Sequence, residues 1–343
     1  MLYSFMENPQ EGMVDRKGIG EFVNTLIRQF KFKREDFRTI GPMGGFTSLI
    51  DLGNIAIAMN TDGVGTKVLI AEEVSKWESI GMDCIAMNVN DTITVGAEPI
   101  AMVDYISLKK PNQEVARQLG IGLNVGAQIS NISIVGGETA MLPDLVKGTD
   151  VSGTVIGIVH KNQIVTGESI KDGDIIFGLQ SSGLHSNGFT TVRKVIKDNE
   201  INLMDPFPGE TKKAHEILLE PTRIYVREIL DLMSIVNIKG MANITGGGLK
   251  NLVRMKDMRY VIDDPIEPQN VFNKIMELGS LDYNSMYEIF NMGIGFAIVI
   301  DQDDKRDFVS TIKNRLPFKE IGHIENGSGI TVPKFGVELA GYY

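Results

Sequence analysis

Apolar positions along this chain recur in two rhythms that alternate through its length. Asn54–Asn60, NIAIAMN, alternates apolar with small or polar residues, the two-residue period of a strand. It leads directly into TDGVGTK (Thr61–Lys67). Ile80, Cys84, Met87 and Val95 then recur at helical spacing and predict a helix over about 79–95. Pro99 closes that unit, and Ile100–Leu108, IAMVDYISL, predicts the next strand. After Pro111, Gln113–Ile129 predicts a second helix. Ile132–Val135 predicts a short buried strand ending in GGET, and Val151–His160 predicts another strand.

The rhythm breaks at Lys161–Asp174, where TGESIKDGD is polar and rich in turn formers. That break is expected to separate two domains, 1–165 and 166–343. Beyond it the pattern predicts a strand at Ile175–Leu179, a Gly/Ser-rich loop, and a helix from about Asn187. A longer helix is expected after Pro221, and a strand at Met241–Ile244 that runs into TGGG. Gly295–Ile300 and a final helix–strand pair close the chain. Both halves mix helix and strand, so the expected fold class is α+β, a mixed α/β chain of two domains. No short-period repeat, low-complexity tract or heptad pattern interrupts this.

Composition narrows the function. Of 343 residues, 43% are hydrophobic and 23% charged, enough apolar material for a substantial core. A net charge of −10 repels phosphate backbones, so no nucleic-acid partner is expected. No run approaches the ~20 apolar residues of a membrane helix, so no membrane partner is expected either. The opening MLYSFMENPQEG has no basic patch followed by an apolar run, hence no expected signal peptide. A single cysteine, Cys84, excludes an intrachain disulfide and suits a reducing, cytoplasmic setting. The 37 glycines cluster, as they do where backbone must approach a ligand closely.

The common nucleotide and metal signatures are missing: GxxxxGK[ST], a GxGxxG between strand and helix, HExxH and paired CxxC. Three acids stand out instead. Asp62 follows a predicted strand in TDGVGTK, Asp91 lies inside a predicted helix in MNVND, and Glu138 follows a strand in GGET. Carboxylates of this kind hold magnesium together with substrate phosphates, and flanking glycines free N–H groups for phosphate oxygens. For Asp62 and Glu138 the competing role is that of a turn or capping acid. Asp91 is harder to dismiss, because an Asn-x-Asn-Asp cluster is poor chemistry for an apolar helix. Lys67 reads as a phosphate contact or as a solvated surface lysine, and Asp104 as a satisfied buried acid or a site residue. SSGLHSNG (Ser181–Gly188) and TGGG (Thr245–Gly248) each lie between a strand and a helix, the setting of an anion cradle. Ser186 or Asn187 could instead cap the helix, and His185 alone serves packing or chemistry equally well. GPMGGF (Gly41–Phe46) reads as a lid or as a disordered loop.

Taken in order, TDGVGTK, MNVNDTITVGAEP, VDY, GGETA, SSGLHSNGFTTVRK, LLEPTRIYV, ITGGG and FNMGIGF resemble the aminoimidazole ribonucleotide synthetases over roughly Gly41–Gly295. The resemblance implies ATP-dependent closure of formylglycinamidine ribonucleotide to an imidazole, through phosphorylation of the formamide oxygen. It implies a homodimer joined through the N-terminal sheets, with ATP and Mg2+ near that interface and K+ as a further candidate cation. It assigns Asp62, Asp91 and Glu138 to the metal, with Asp91 and His185 catalytic. ATP contacts are expected from Asp62, Gly63, Gly65, Thr66, Lys67, Asn88, Asn90, Gly136, Gly137, Glu138 and Thr139. Substrate contacts are expected from Asp104, Ser181, Ser182, Ser186, Asn187, Asn243, Thr245, Gly246, Gly247 and Gly248. The wider superfamily includes thiamine-monophosphate kinase, so a small-molecule kinase or a non-catalytic ATP-binding relative are the alternatives. Three departures stand out. Asn243 and Met141 replace a frequent histidine and acid of the family, and Val14–Gln29 matches poorly, leaving Lys17 and Arg28 as the only candidates for a basic residue there.

Overall fold

The computed structural model describes residues 16–32, 34–41 and 45–340. Residues 42–44 of the GPMGGF loop, and residues 14–15 of the poorly matching segment, lie outside that range. Helix α1 (Arg16–Ile27) precedes a six-stranded sheet. Its strands are β1 (Thr39–Ile40), β2 (Ser48–Asp51), β3 (Ile55–Gly63), β4 (Glu98–Leu108), β5 (Ser133–Met141) and β6 (Thr149–His160). They lie in the order β1-β2-β3-β6-β4-β5, and only β4 and β5 run parallel. Helix α2 (Val68–Val74) follows β3, and α3 (Glu78–Ile93) and α4 (Gln113–Ser130) pack on each other against one face of the sheet. They cross tightly: a Cβ on Gly122 would stand 1.8 Å from the Glu78 carbonyl oxygen. Among the described residues nothing covers the opposite sheet face, where Met59, Val103, Tyr105, Ile156 and Ile158 are each well exposed.

The second sheet has seven strands: β7 (Ile175–Gln180), β8 (Ile238–Asn243), β9 (Arg259–Val261), β10 (Ile294–Ile300), β11 (Phe318–Glu325), β12 (Gly329–Val332) and β13 (Val337–Leu339). Their order is β13-β12-β9-β11-β7-β10-β8, with β9 and β12 the parallel pair. Helices α5 (Phe189–Asp198), α6 (Ala214–Leu218), α7 (Val226–Met233), α8 (Asn270–Leu278), α9 (Tyr283–Ile289) and α10 (Lys305–Ile312) complete this half. Phe177 and Ile298 pack with Ile229 of α7 and Phe308 of α10, while Ile176 and Val299 belong with Phe189, Phe272 and Met286 on the other side. Both faces are covered, which is why IGFAIVI carries no polar alternation.

Four expectations need correction. The segment after Ile132 is a long strand, β5, that runs through GGET, and it is exposed because it is the last strand of its sheet. Asp62 and Glu138 therefore lie within strands rather than after them. The helix after Pro221 is only the eight-residue α7, and the chain ends in α10 followed by three strands rather than one.

The helix after Pro221 starts late because its approach is gripped by α3. Thr222 donates its backbone N–H to Asp83 Oδ1 at 2.7 Å, and Tyr225 donates its own to Asn90 Oδ1 at 3.0 Å. Asn90 Nδ2 donates to the Arg223 carbonyl at 2.7 Å. Asp83 and Asn90 lie two helical turns apart and so share one face of α3. Lys67 closes the seam: its buried ammonium pairs with Asp83 at 2.7 Å and donates to the Glu220 carbonyl at 2.7 Å. Thus the strap 220–225 of the second half is held by charged and amide groups of the first.

Removing one member of a buried ion pair strands the other charge, at about 3–5 kcal/mol. Lys67→Met is expected to lower unfolding free energy by that amount in urea titrations, and Lys67→Met/Asp83→Asn to recover much of it. A single variant within about 1 kcal/mol of wild type would show that the pair contributes little.

Candidate functional site

Asp91 lies on the last turn of α3, at the seam between the two sheets. Its Oδ1 accepts a hydrogen bond from Asn243 Nδ2 at 2.8 Å, and Asn243 is the last residue of β8. Its backbone carbonyl accepts from Thr47 Oγ1 at 2.9 Å and from Thr94 Oγ1 at 2.6 Å. Burial pushes the Asp91 carboxyl up to about 7; the Asn243 amide opposes this, the negative charge of Asp62 adds to it, and Arg254 opposes it. Asp62, near the end of β3, is also raised by burial, opposed by its hydrogen bond from Gly63 N–H and by Arg254. Asn88 Nδ2 joins the two elements by donating to the Cys84 and Asp62 carbonyls at 2.9 and 3.2 Å.

The expected trio of metal acids does not assemble within one chain. Asp62, Gly153, Asp104 and Gly137 pair across β3, β6, β4 and β5 and so form one row. Asp104 leans over that row, since a Cβ on Gly137 would stand 2.6 Å from its Oδ1. Glu138 is the next residue along β5, so its side chain faces the other side of the sheet from Asp62. Among the described residues no three His, Cys, Asp or Glu side chains are grouped to hold a metal ion. Gly136 and Thr139 share the exposed edge strand with Glu138. Burial raises the half-buried Asp104 carboxyl, which sits on β4 of the first sheet.

Lys67 is corrected as well: its ammonium is spent on Asp83 and Glu220 in the core, and burial drives its pKa down. Asn90 is likewise committed to the 223–225 backbone. Gly63 ends β3, and Gly65 and Thr66 belong to the turn before α2, where Thr66 Oγ1 lies 3.4 Å from Thr190 Oγ1 of α5.

The Ser181–Gly188 loop is braced from within. Ser181 accepts from Gln269 Nε2 at 2.7 Å, and Ser182 Oγ donates to the Pro221 carbonyl at 2.5 Å. The Ser186 and Thr222 hydroxyls lie 3.1 Å apart. His185 is in the left-handed region (φ +59), and its Nε2 accepts the Ser182 backbone N–H at 3.2 Å. Burial first, then the charges of Lys67 and Arg223, push its pKa down to about 3. In the ligand-free chain His185 is therefore a neutral imidazole at pH 7 that holds the turn. Gly188, with no side-chain cap, occupies the N-cap of α5, so neither Ser186 nor Asn187 caps that helix. Asn187 instead stands against the TGGG turn, where a Cβ on Gly246 would lie 3.3 Å from its Oδ1. Gly248 must be glycine: its φ is +54, and a Cβ would stand 2.1 Å from the Tyr287 carbonyl oxygen. Thr245 receives the Gly248 N–H at 3.0 Å and precedes Gly247, also at positive φ.

The seam thus gathers Asp62, Asn88, Asp91, Asn187, Asn243 and the glycine turn. Three buried amide atoms there, Asn88 Oδ1, Asn187 Nδ2 and Asn243 Oδ1, have no hydrogen-bond partner among the described residues. Such groups cost about 1–3 kcal/mol each when left unpaired, so the site is built to receive polar ligand atoms. Two members, Thr47 and Arg254, escape sequence reasoning. Neither lies in a recognisable motif, and Arg254 in LVRMKD reads as an ordinary surface arginine.

The raised Asp91 carboxyl has a consequence for the ligand-free protein. Between pH ~4 and ~7 the folded state keeps a proton that the unfolded chain releases, so stability falls as pH rises through that window. The loss is on the order of 2–4 kcal/mol. Urea titrations at pH 5 and pH 8 are expected to show it in wild type and to show a flatter profile in Asp91→Asn. An identical profile in the variant would assign the slope to other groups.

Known proteins resemble this chain in sequence and in fold. Residues 46–159 match the family model for the AIR synthase related protein, N-terminal domain, and residues 171–334 match that for the C-terminal domain. The phosphoribosylformylglycinamidine cyclo-ligase of Thermoplasma volcanium is 67% identical over 98% of this chain and 100% of its own. That of Pyrococcus furiosus is 44% identical over 94% and 95%. Among solved structures, thiamine-monophosphate kinase from Stenotrophomonas maltophilia superposes with a TM-score of 0.63 at 19% identity, covering 91% of this chain and 96% of that one. The hydrogenase maturation protein HypE in complex with ATP gives 0.62 at 15% identity, covering 85% and 87%. These two likenesses extend to the fold alone, whereas the full-length sequence matches go further: the chain belongs to the AIR synthase family, among the phosphoribosylformylglycinamidine cyclo-ligases.

Proposed function

We infer that this chain catalyses the ATP-dependent ring closure of formylglycinamidine ribonucleotide to 5-aminoimidazole ribonucleotide, with ADP and phosphate as co-products, in purine biosynthesis. The observation that carries this reading is the end-to-end 67% identity with a cyclo-ligase. The chemistry calls for activation because an amide oxygen is a poor leaving group. Transfer of the γ-phosphoryl group to the formamide oxygen turns it into phosphate, which departs as a nitrogen of the amidine closes the ring. The protein's share is positioning and charge neutralisation.

Asp62 and Asp91 are the proposed holders of a Mg2+ ion, consistent with unpaired buried amide atoms beside them. Such an ion would neutralise phosphate charge. Asn243 fixes the Asp91 carboxylate, and Asn187 with Gly246–Gly248 is proposed to meet the substrate. The division of labour follows the two sheets: residues 1–165 for nucleotide and assembly, 166–343 for substrate. A small-molecule kinase shares the fold but only at 17–19% identity, so no observation favours that reading.

A homodimer is proposed from the uncovered face of the first sheet, where Met59, Val103, Tyr105, Ile156 and Ile158 stand exposed together. Glu138 lies on that same face, which would direct it toward a partner copy. Among the described residues no helix is long and apolar enough to cross a membrane, and a cytoplasmic location is proposed with the pathway.

Two measurements test this. With ATP, magnesium and formylglycinamidine ribonucleotide, wild type should form one aminoimidazole ribonucleotide per ADP. Asp91→Asn should lose roughly 10²-fold or more in turnover while its circular dichroism spectrum is unchanged; wild-type turnover in that variant would remove Asp91 from the site. Sedimentation equilibrium at micromolar concentration should give twice the chain mass, and a monomer would reject the assembly.

A further inference from the structure

A protein cation commonly joins the metal at nucleotide phosphates, and the lysine that sequence suggests for this is buried elsewhere. Lys67 has no exposure and is committed to Asp83 and Glu220. The cation that acts on both Asp62 and Asp91 is Arg254, which comes from the opposite half of the molecule. It ends the 3-10 segment Gly248–Arg254 that continues the TGGG turn. Three contacts hold it. Its guanidinium carbon lies 3.8 Å from the Phe46 ring centroid. Its Nη2 donates to the Gly45 carbonyl at 2.8 Å, and its Nη1 donates to Asn251 Oδ1 at 3.2 Å.

That arrangement differs from a surface arginine in a specific way. A flat ring under the guanidinium and two fixed acceptors at its nitrogens hold the fork in one orientation. A guanidinium has five N–H donors, so two such bonds leave N–H groups for another acceptor. Half-buried placement strengthens any charge-assisted bond it makes without closing it to a ligand. Asn251, its neighbour along the segment, is itself buried and anchored through Nδ2 to the Gly248 carbonyl at 2.9 Å. The glycine turn and the guanidinium are thus one rigid unit.

Resting on the nucleotide-dependent reaction argued above, we propose that Arg254 is the protein cation of the nucleotide phosphate site, carried across the seam by the second half and seated on Phe46. In this role it contacts phosphate oxygens that also lie against the acids of the first half. Loss of the charge should weaken nucleotide more than the ribonucleotide substrate.

The test uses the full chain and a non-hydrolysable ATP analogue with magnesium, titrated calorimetrically. Wild type must bind; if it binds no nucleotide, the functional reading itself fails, and the variants need not be made. Arg254→Met keeps the stem over Phe46 and removes the charge. It should weaken analogue binding at least tenfold and raise KM for ATP to match, with KM for formylglycinamidine ribonucleotide changed less than threefold. Arg254→Lys keeps a charge without the fork and should fall between Met and wild type, so the proposal stays testable if the Met variant folds poorly. Analogue affinity within twofold of wild type in well-folded Arg254→Met or Arg254→Lys would overturn it. An equal rise in both KM values would also overturn it, as it would mark a latch between the halves rather than a phosphate contact.

Discussion

Everything at the seam depends on one buried polar face of α3. A mostly buried helix that carries Asp83, Asn88, Asn90 and Asp91 is unstable unless each group finds a partner. For Asp83, Asn90 and Asp91 the partners come from the other half of the chain, as Thr222 and Tyr225 N–H groups, the Arg223 carbonyl and Asn243, while Asn88 donates to the Cys84 and Asp62 carbonyls of its own half. Lys67 neutralises Asp83 and ties in Glu220. The two sheets therefore cannot drift apart without exposing a charge and several amides to a low-dielectric gap.

That constraint explains how the groups of the candidate site are held. The strap gripped by Asp83 and Asn90 also accepts Ser182 Oγ at Pro221 and contacts Ser186 at Thr222. Holding the strap thus holds the Ser181–Gly188 loop. At the next residue of the same helix, Asn243 fixes Asp91, and the chain continues from Asn243 into the glycine turn that faces Asn187. Buried ion pairs are poor sources of net stability, and their use here fits a demand for a single relative placement of two halves.

Much of the fold is legible in the sequence because it rests on periodicity. β3, α3, β4, α4, β6 and β10 lie where apolar spacing and proline breaks put them. The errors come where tertiary context decides. β5 looks buried because it is apolar, but edge position leaves it exposed. The helix after Pro221 begins late because side chains of α3 hold the preceding backbone. At the site, the Asn-x-Asn-Asp cluster was a legible signal, since such residues do not belong in an apolar helix without partners. Its members divide, however, between the joint (Asn90) and the candidate metal site (Asp91), and spacing alone does not separate them. Lys67 and His185 show the same limit: residue type suggests chemistry, while full burial gives them structural work. Arg254 is invisible in the sequence, because only the fold brings it to Phe46 and the two acids.

The replacement of a frequent histidine by Asn243 then has a physical meaning. What the position supplies here is a hydrogen-bond donor to Asp91, which an amide provides as well as an imidazole does. If Asn243 acts through Asp91, the two are one unit, and their losses must not add. The most direct test is a double-mutant cycle on affinity for a non-hydrolysable magnesium–ATP analogue. Asn243→Ala should weaken binding about 10–100-fold in wild type. In the Asp91→Asn background it should change affinity less than about twofold, a coupling well above the ~0.5 kcal/mol limit of independent sites. Equal losses in both backgrounds would contradict the account.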